Sequence, residues 1–105
     1  MTSKNHESAI LTGKRYASLV RSKIDSEAII MLFGSYAKNS ANDRSDIDIA
    51  VVSGLFGDDI TNDFAKLYVI AYEVNTEIEP HPFSFERWKD TTPFIREIME
   101  TGVAL

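Results

Sequence analysis

The sequence contains no cysteine, and this absence narrows the chemistry available to the chain. Disulfide bridges and thiolate metal sites are excluded, so any metal ion must be bound by oxygen or imidazole ligands. No apolar stretch approaches the roughly 20 residues needed to cross a bilayer. The first ten residues, MTSKNHESAI, lack the apolar segment of a secretion signal. We therefore expect a cytoplasmic protein that is neither secreted nor associated with a membrane.

Positive charge is scarce as well. The chain has 16 acidic and 11 basic side chains, a net charge of −5, and no basic run longer than Lys14-Arg15. Binding to a nucleic-acid backbone requires a basic face, so we expect no direct nucleic-acid partner. An acidic chain that binds a nucleotide needs a local device such as a metal ion or a helix N-terminus. A basic partner protein also fits this charge.

The length of 105 residues predicts one domain, residues 1–105, because no linker or internal repeat is visible. Short branched runs bounded by turn residues predict strands at 28–33 and 46–52. A third strand is predicted from Thr76 to Ile78 or Glu79, where Pro80-His81-Pro82 would stop it.

Apolar periodicity predicts helices at residues 8–24, with Ser8 as N-cap, and at about 60–73. The apolar face of the second would comprise Phe64, Leu67, Val69, Ile70 and Ala71. A short helix capped by Ser35, a turn after Ser84 and a last helix from Thr92-Pro93 to Thr101 complete the prediction. We expect an α/β (α+β) fold, a small β-sheet flanked by helices, with an aromatic group that belongs mostly to the core: Phe83, Phe85, Trp88 and Phe94.

The most informative stretch is 34–48, GSYAKNSANDRSDID, which connects two buried strands. Its last part places Asp46 and Asp48 on one face of a strand, roughly 6.6 Å apart along the backbone. Their oxygens can then share one or two hard cations. A bare D-x-D pair more often faces solvent, so this feature alone decides nothing.

The start of the same stretch, Gly34-Ser35, follows a strand. Glycine there allows backbone N–H groups to approach an anion, and the serine hydroxyl can donate to a phosphate oxygen. A plain strand–helix turn with a serine cap would look the same. The two features together are more specific, because a return between neighbouring strands brings a phosphate site beside a metal site.

Other nucleotide and metal motifs do not match. The P-loop spacing is absent, and an EF-hand loop would continue beyond Asp48, where Ile49-Ala50-Val51-Val52 follows instead. His6 and His81 are isolated in the sequence, and we interpret them as surface and turn positions rather than ligands.

Gly34-Ser35, ten intervening residues and Asp46-Ile47-Asp48 match the G-S-x10-D-x-D signature. In this the chain resembles the DNA polymerase β-like nucleotidyltransferase superfamily. The run LFGSYAKNSANDRSDIDIAVV is similar to the minimal nucleotidyltransferases of the MNT or MntA type, which are commonly encoded beside a HEPN-domain toxin. The resemblance implies a polymerase β-like fold and magnesium-dependent transfer of AMP from ATP to a tyrosine hydroxyl of the toxin. This modification would silence the toxin's RNase activity, so the chain would be an antitoxin.

The resemblance also implies roles for individual residues. Gly34 and Ser35 would hold the β- and γ-phosphates, while Asp46 and Asp48 would bind two magnesium ions. A third carboxylate, Glu79 or Glu77, would bind the metal near the attacking hydroxyl. We favour Glu79, which directly precedes Pro80.

Three side chains near this stretch have open roles. Lys38 and Arg44 would either contact the triphosphate or be surface charges, and Tyr36 would either stack on a base or pack. Two other functions also stay open: a non-catalytic antitoxin that binds the toxin stoichiometrically, and a small-molecule nucleotidyltransferase of the aminoglycoside type. The oligomeric state, homo- or hetero-oligomer, is not indicated.

Overall fold

The computed structural model describes residues 5–42 and 45–105. Its elements, in chain order, are α1 (His6–Lys23), β1 (Ile29–Phe33), β2 (Ile47–Val52), α2 (Ile60–Val74), β3 (Ile78–Phe83), α3 (Phe85–Lys89), α4 (Pro93–Thr101) and β4 (Val103–Ala104). The strands form one mixed sheet in the order β3-β2-β1-β4. Strand β1 is antiparallel to β2 and β4, and β2 is parallel to β3. The predicted small sheet flanked by helices is confirmed.

Each face of the sheet has its own apolar core because residues of a strand point alternately to opposite sides. On β2, Ile47, Ile49 and Val51 pack with buried residues of α1 and α2. Ala50 and Val52 point the other way and pack with Trp88 of α3 and with Ile95 and Ile98 of α4. By the same alternation Asp48 lies on the α3/α4 face. No helix in the described ranges is long and apolar enough to cross a membrane.

Two predictions about helices were wrong. Helix α1 begins earlier, with Asn5 as N-cap: its side chain accepts from the Ser8 N–H, and the Ser8 hydroxyl accepts from the Asn5 N–H. After Gly34 the chain forms turns instead of a helix. Asn39, at φ 58°, and the bond from Ser40 N–H to the Ser35 carbonyl, 2.8 Å, end the first turn at once.

Strand β3 was predicted to stop at Pro80, but it continues through both prolines to Phe83. The register explains this. Strand β3 is an edge strand, and the backbone N–H and C=O groups of its odd-numbered residues point towards β2. The Glu77 and Phe83 carbonyls accept from the Ile47 and Ser53 N–H groups. Pro80 and Pro82 therefore turn their nitrogens to the open edge, where no donor is needed. Strand β4 was not predicted; it has only two residues.

Several apolar side chains are less buried than predicted. On α2, Leu67, Ile70 and Ala71 are buried, whereas Phe64 and Val69 are exposed. In the aromatic group Phe83 and Trp88 are buried, but Phe85 and Phe94 are each 43% exposed. Helix α2 therefore presents an apolar outer surface that the sheet does not cover.

Gly34 directly follows β1, and only glycine fits both its backbone conformation and the space around it. Its φ is +75°, and a Cβ atom built there would lie 2.5 Å from Oδ2 of Asp48. The carboxylate of Asp48 thus occupies the room that a side chain at position 34 would need. This close approach places Gly34, the first residue of the 34–48 stretch, directly beside Asp48, the last.

We expect Gly34→Ala to lower the free energy of unfolding by about 1–3 kcal/mol, from the left-handed backbone and the displaced carboxylate. Denaturation in urea measures it. Gly54→Ala is the matched control, because its Cβ would meet only the half-exposed ring of Phe85. Equal losses of unfolding free energy for Gly34→Ala and Gly54→Ala would contradict the requirement for glycine at position 34.

A buried serine links the end of β2 to the loop before β1. The Ser53 hydroxyl donates to Oδ2 of Asp25, 2.6 Å, and accepts from Leu55 N–H. The bond from Ser53, with a further backbone bond from Glu27, lowers the pKa of Asp25. Because this pKa is lower in the folded state, the stabilisation is present above the ordinary Asp pKa and is lost as the pH falls through the lowered value.

Ser53→Ala should therefore destabilise the protein by about 1–2 kcal/mol at pH 7, and by less once Asp25 is protonated. Urea denaturation at pH 7 and near pH 3 tests this. Ser22→Ala is the control, since the Ser22 hydroxyl donates to the Leu19 carbonyl, which does not titrate. A loss for Ser53→Ala that is independent of pH would contradict the assignment.

Candidate metal and nucleotide site

The ends of three strands meet at one edge of the sheet. Strand β1 finishes there at Phe33, while β2 and β3 both start there. Asp48 is the register partner of Phe33 on one side and of Glu79 on the other. The Gly-Ser step, the D-x-D pair and Glu79 are thus brought together, as the return between β1 and β2 predicts.

Three side chains form a compact group of metal-ligating types on the α3/α4 face: Asp48, Glu79 and His81. One ligand atom from each lies within 4.8 Å of the other two. Nε2 of His81 is 3.3 Å from Oδ1 of Asp48, and both side chains are about one quarter exposed. The group is open to solvent on one side, so a ligand can reach it.

Negative charge is concentrated at this group. Burial raises the pKa of Glu79, and a side-chain hydrogen bond with Asp46 and the charge of Asp48 raise it further, while His81 acts in the opposite direction. A bound cation would offset this repulsion. The donor set and the separations of the ligand atoms fit a divalent metal ion, with oxygen ligands from Asp48 and Glu79. Asp46 is exposed, just before β2, and within reach through its bond with Glu79.

The interpretation of His81 as an isolated turn residue was wrong. His81 lies within β3, two residues after Glu79 and therefore on the same face. The alternation in Glu79-Pro80-His81 indicates that Glu79 and His81 share a face if the strand continues. The predicted end of the strand at Pro80 concealed this signal. Glu77, the other candidate for the third carboxylate, is exposed, precedes β3 and, in the described part of the chain, does not belong to this group.

The Gly-Ser step borders a small pocket between the β1–β2 connection and α4. The pocket has a volume of about 110 Å³ and is lined by Phe33, Gly34, Lys38, Phe94, Glu97, Ile98 and Thr101. This is room for about four water molecules, so the pocket is too small for a whole nucleotide. A nucleotide would have to lie across the open face.

The basic and aromatic candidates near this stretch are placed differently. Lys38 lies at the rim of the pocket in an ion pair with Glu97, and both side chains are exposed. Tyr36 packs: it is 1% exposed, and its hydroxyl donates to the Asn42 carbonyl. Arg44, the other predicted phosphate contact, lies outside the described residues.

Helix α2 carries a row of aromatic side chains. The rings of Phe64, Tyr68 and Tyr72 follow at four-residue spacing, with centroids 6.5 Å and 6.0 Å apart. Burial raises the pKa of Tyr68, and the charge of Glu79 is the next largest cause. The charge of the acidic group thus acts on the middle ring of the row, and the last ring, Tyr72, is 63% exposed.

The fold has a counterpart among solved structures. A candidate nucleotidyltransferase from Sulfolobus solfataricus, solved by crystallography at 1.40 Å, has a similar fold, with a TM-score of 0.57 and 17% sequence identity. The match covers 98% of this chain and 87% of the archaeal one. No curated protein matches the sequence.

The sequence itself matches a family model over residues 18–105, which include the Gly-Ser step, both aspartates, Glu79 and His81. That model describes the "Polymerase beta, Nucleotidyltransferase" domain. With most of its length covered and the expected groups gathered at one sheet edge, the chain belongs to the polymerase β-like nucleotidyltransferase family.

Proposed function

We propose that this protein transfers AMP from ATP to a hydroxyl group, a tyrosine of a HEPN-type RNase toxin, and so acts as its antitoxin. The observation that carries the transfer reaction is the meeting of Asp48 and Glu79 with the Gly34-Ser35 turn at one sheet edge. A triphosphate held by the turn would direct its α-phosphorus towards the carboxylates. The toxin as acceptor and the antitoxin role rest on the similarity to the minimal nucleotidyltransferases.

In the proposed reaction the acceptor oxygen bonds to the α-phosphorus, and the bond from that phosphorus to the bridging oxygen breaks. Pyrophosphate leaves, and the hydroxyl proton passes to a carboxylate or to solvent. Asp46, Asp48 and Glu79 would hold the divalent metal, two magnesium ions in the simplest case, which stabilises charge on the attacking and leaving oxygens. Gly34 and Ser35 would orient the β- and γ-phosphates, together with Lys38 and Arg44.

Support for a protein acceptor comes from the aromatic row of α2. Glu79 is the carboxylate assigned to the acceptor side, and its charge is among the causes that raise the pKa of Tyr68. We propose that an incoming protein contacts the exposed rings of this row, Phe64 and Tyr72. Exposed aromatic side chains dominate the energetics of many protein interfaces, whereas a small substrate would need an enclosing pocket. The enclosed space described at the Gly-Ser step is too small for that.

Incubation with ATP, magnesium and the proposed HEPN-type toxin should add the mass of AMP to the toxin. We expect the Asp46→Asn/Asp48→Asn variant to lose at least 100-fold in labelling rate, because the metal then lacks two carboxylates. Intact-mass spectrometry and incorporation of α-labelled ATP measure the rate. Asp58→Asn/Asp90→Asn removes the same charge from two exposed aspartates outside the site and is the control.

Equal labelling by the site variant and the wild type would overturn the catalytic assignment. A site variant that does not label the toxin but still inhibits it fully would instead favour stoichiometric neutralisation. Labelling of an aminoglycoside with none on the toxin would favour the small-molecule function. The three outcomes differ in which molecule carries AMP and whether the RNase is silent.

Tyr72→Ala should weaken toxin binding by about tenfold or more if the aromatic row is the docking surface. Titration calorimetry without nucleotide measures the dissociation constant. The matched control is Leu11→Ala on α1, since Leu11 and Tyr72 are 65% and 63% exposed. Equal effects of the two substitutions would move the docking surface away from α2.

A further inference from the structure

His81 is a histidine in a place where carboxylates alone would serve a magnesium ion. It stands on β3 opposite Ala50 of β2, two register pairs beyond the Asp48–Glu79 pair and on the same face of the sheet. The small side chain of Ala50 leaves space above the sheet, and the imidazole lies diagonally across from Asp48. Its Nε2 atom is 3.3 Å from Oδ1 of Asp48.

Two aromatic rings confine the imidazole. The edge-on contact with Phe33 has a centroid distance of 4.9 Å, and the contact with Phe94 of α4 has one of 6.4 Å. Phe33 is buried, so the imidazole faces a fixed surface on that side. A ring held in this way presents its nitrogen to the carboxylates with little loss of rotamer freedom on binding.

We propose that His81 is a direct metal ligand, which completes an Asp48–Glu79–His81 ligand set and makes the site prefer a transition-metal dication to magnesium. The inference rests on the proposed function only in that a metal ion binds at this group, and not on AMP transfer. Two ligand atoms at right angles, each about 2.1 Å from an ion, lie about 3 Å apart, close to the 3.3 Å between His81 and Asp48.

The chemical basis of the preference is the nitrogen donor. Carboxylate and water ligands suit magnesium and manganese alike, whereas an imidazole nitrogen is a poor ligand for magnesium and a common one for first-row transition ions. The three ligand atoms lie within 4.8 Å of one another, so small side-chain rotations would bring all of them onto the same ion. The remaining positions would be left to Asp46, water and phosphate oxygens.

The rival role for His81 is to position Asp48 by a hydrogen bond without touching the metal. That role makes a different prediction. Loss of a positioning residue would weaken all ions bound by Asp48 together. Loss of a nitrogen ligand would weaken manganese much more than magnesium and would remove nitrogen from the manganese coordination sphere.

The test uses the full chain with Mn²⁺ alone, without nucleotide or toxin. Electron spin echo measurements detect ¹⁴N nuclei bound to manganese, and competition with Mg²⁺ gives the ratio of the two affinities. We expect the ¹⁴N signal in the wild type, its loss in His81→Gln, and a fall of about tenfold or more in the manganese-to-magnesium affinity ratio.

The chain has two histidines, so His6→Gln is the matched control. Nδ1 of His6 hydrogen-bonds with the Tyr36 carbonyl, away from the acidic group, and this variant should keep both the signal and the ratio. Circular dichroism verifies folding, and His81→Asn provides a second, smaller substitution. Bound manganese without ¹⁴N coupling in the wild type, a parallel loss of both ions in the His81 variants, or no manganese binding at all would overturn the proposal.

This result is independent of the transfer reaction. A failure of AMP labelling with ¹⁴N coupling present would refute the proposed function and leave the ligand assignment standing. Labelling by the wild type with no ¹⁴N coupling would do the reverse.

Discussion

Asp48 and Glu79 are direct register partners across the parallel β2–β3 ladder. Like charges opposite each other on neighbouring strands destabilise a sheet, and here burial and neighbouring carboxylates raise the pKa of Glu79. The pair persists because the same two strands also carry buried apolar residues on both faces. The core thus holds the backbone register that places the two carboxylates opposite each other. A bound cation would offset their repulsion.

The rigidity of this arrangement distinguishes it from a loop site. If the acidic groups were on a mobile connection, they would separate in the absence of a cation. On paired strands the separation is fixed, and the site is preorganised for an ion. Gly34 contributes to the same preorganisation. Because it lacks a side chain, it leaves room for the Asp48 carboxylate, and it starts the turn proposed to hold phosphates. One small residue therefore sets the distance between the two halves of the site.

Much of this could be predicted from the sequence. The Gly-Ser and D-x-D elements and the alternation on β2 are local signals, and the return between two buried runs places Gly34 beside Asp48. The cap of α1 and the turn after Gly34 are harder to predict, because several adjacent polar side chains compete for the same backbone N–H groups. Asn5 and Ser8 form a reciprocal pair, and Asn39 ends the first turn after Ser35.

His81 and the length of β3 could not be predicted from local propensity. Proline is unfavourable in a strand unless its nitrogen faces an open edge, and whether β3 is an edge strand depends on the order of all four strands. The exposure of Phe64 and Val69 likewise depends on how α2 lies against β3. These are properties of the assembled sheet, and no window of sequence contains them.

The two prolines of β3 have a consequence for recognition. With nitrogens of Pro80 and Pro82 directed outward, this edge lacks two of the donors that an added strand would need. The opposite edge, β4, has only two residues. Main-chain pairing of an added strand along the β3 edge would therefore be interrupted at two positions. The prolines thus protect this edge from edge-to-edge aggregation, while the acidic end of the sheet stays accessible.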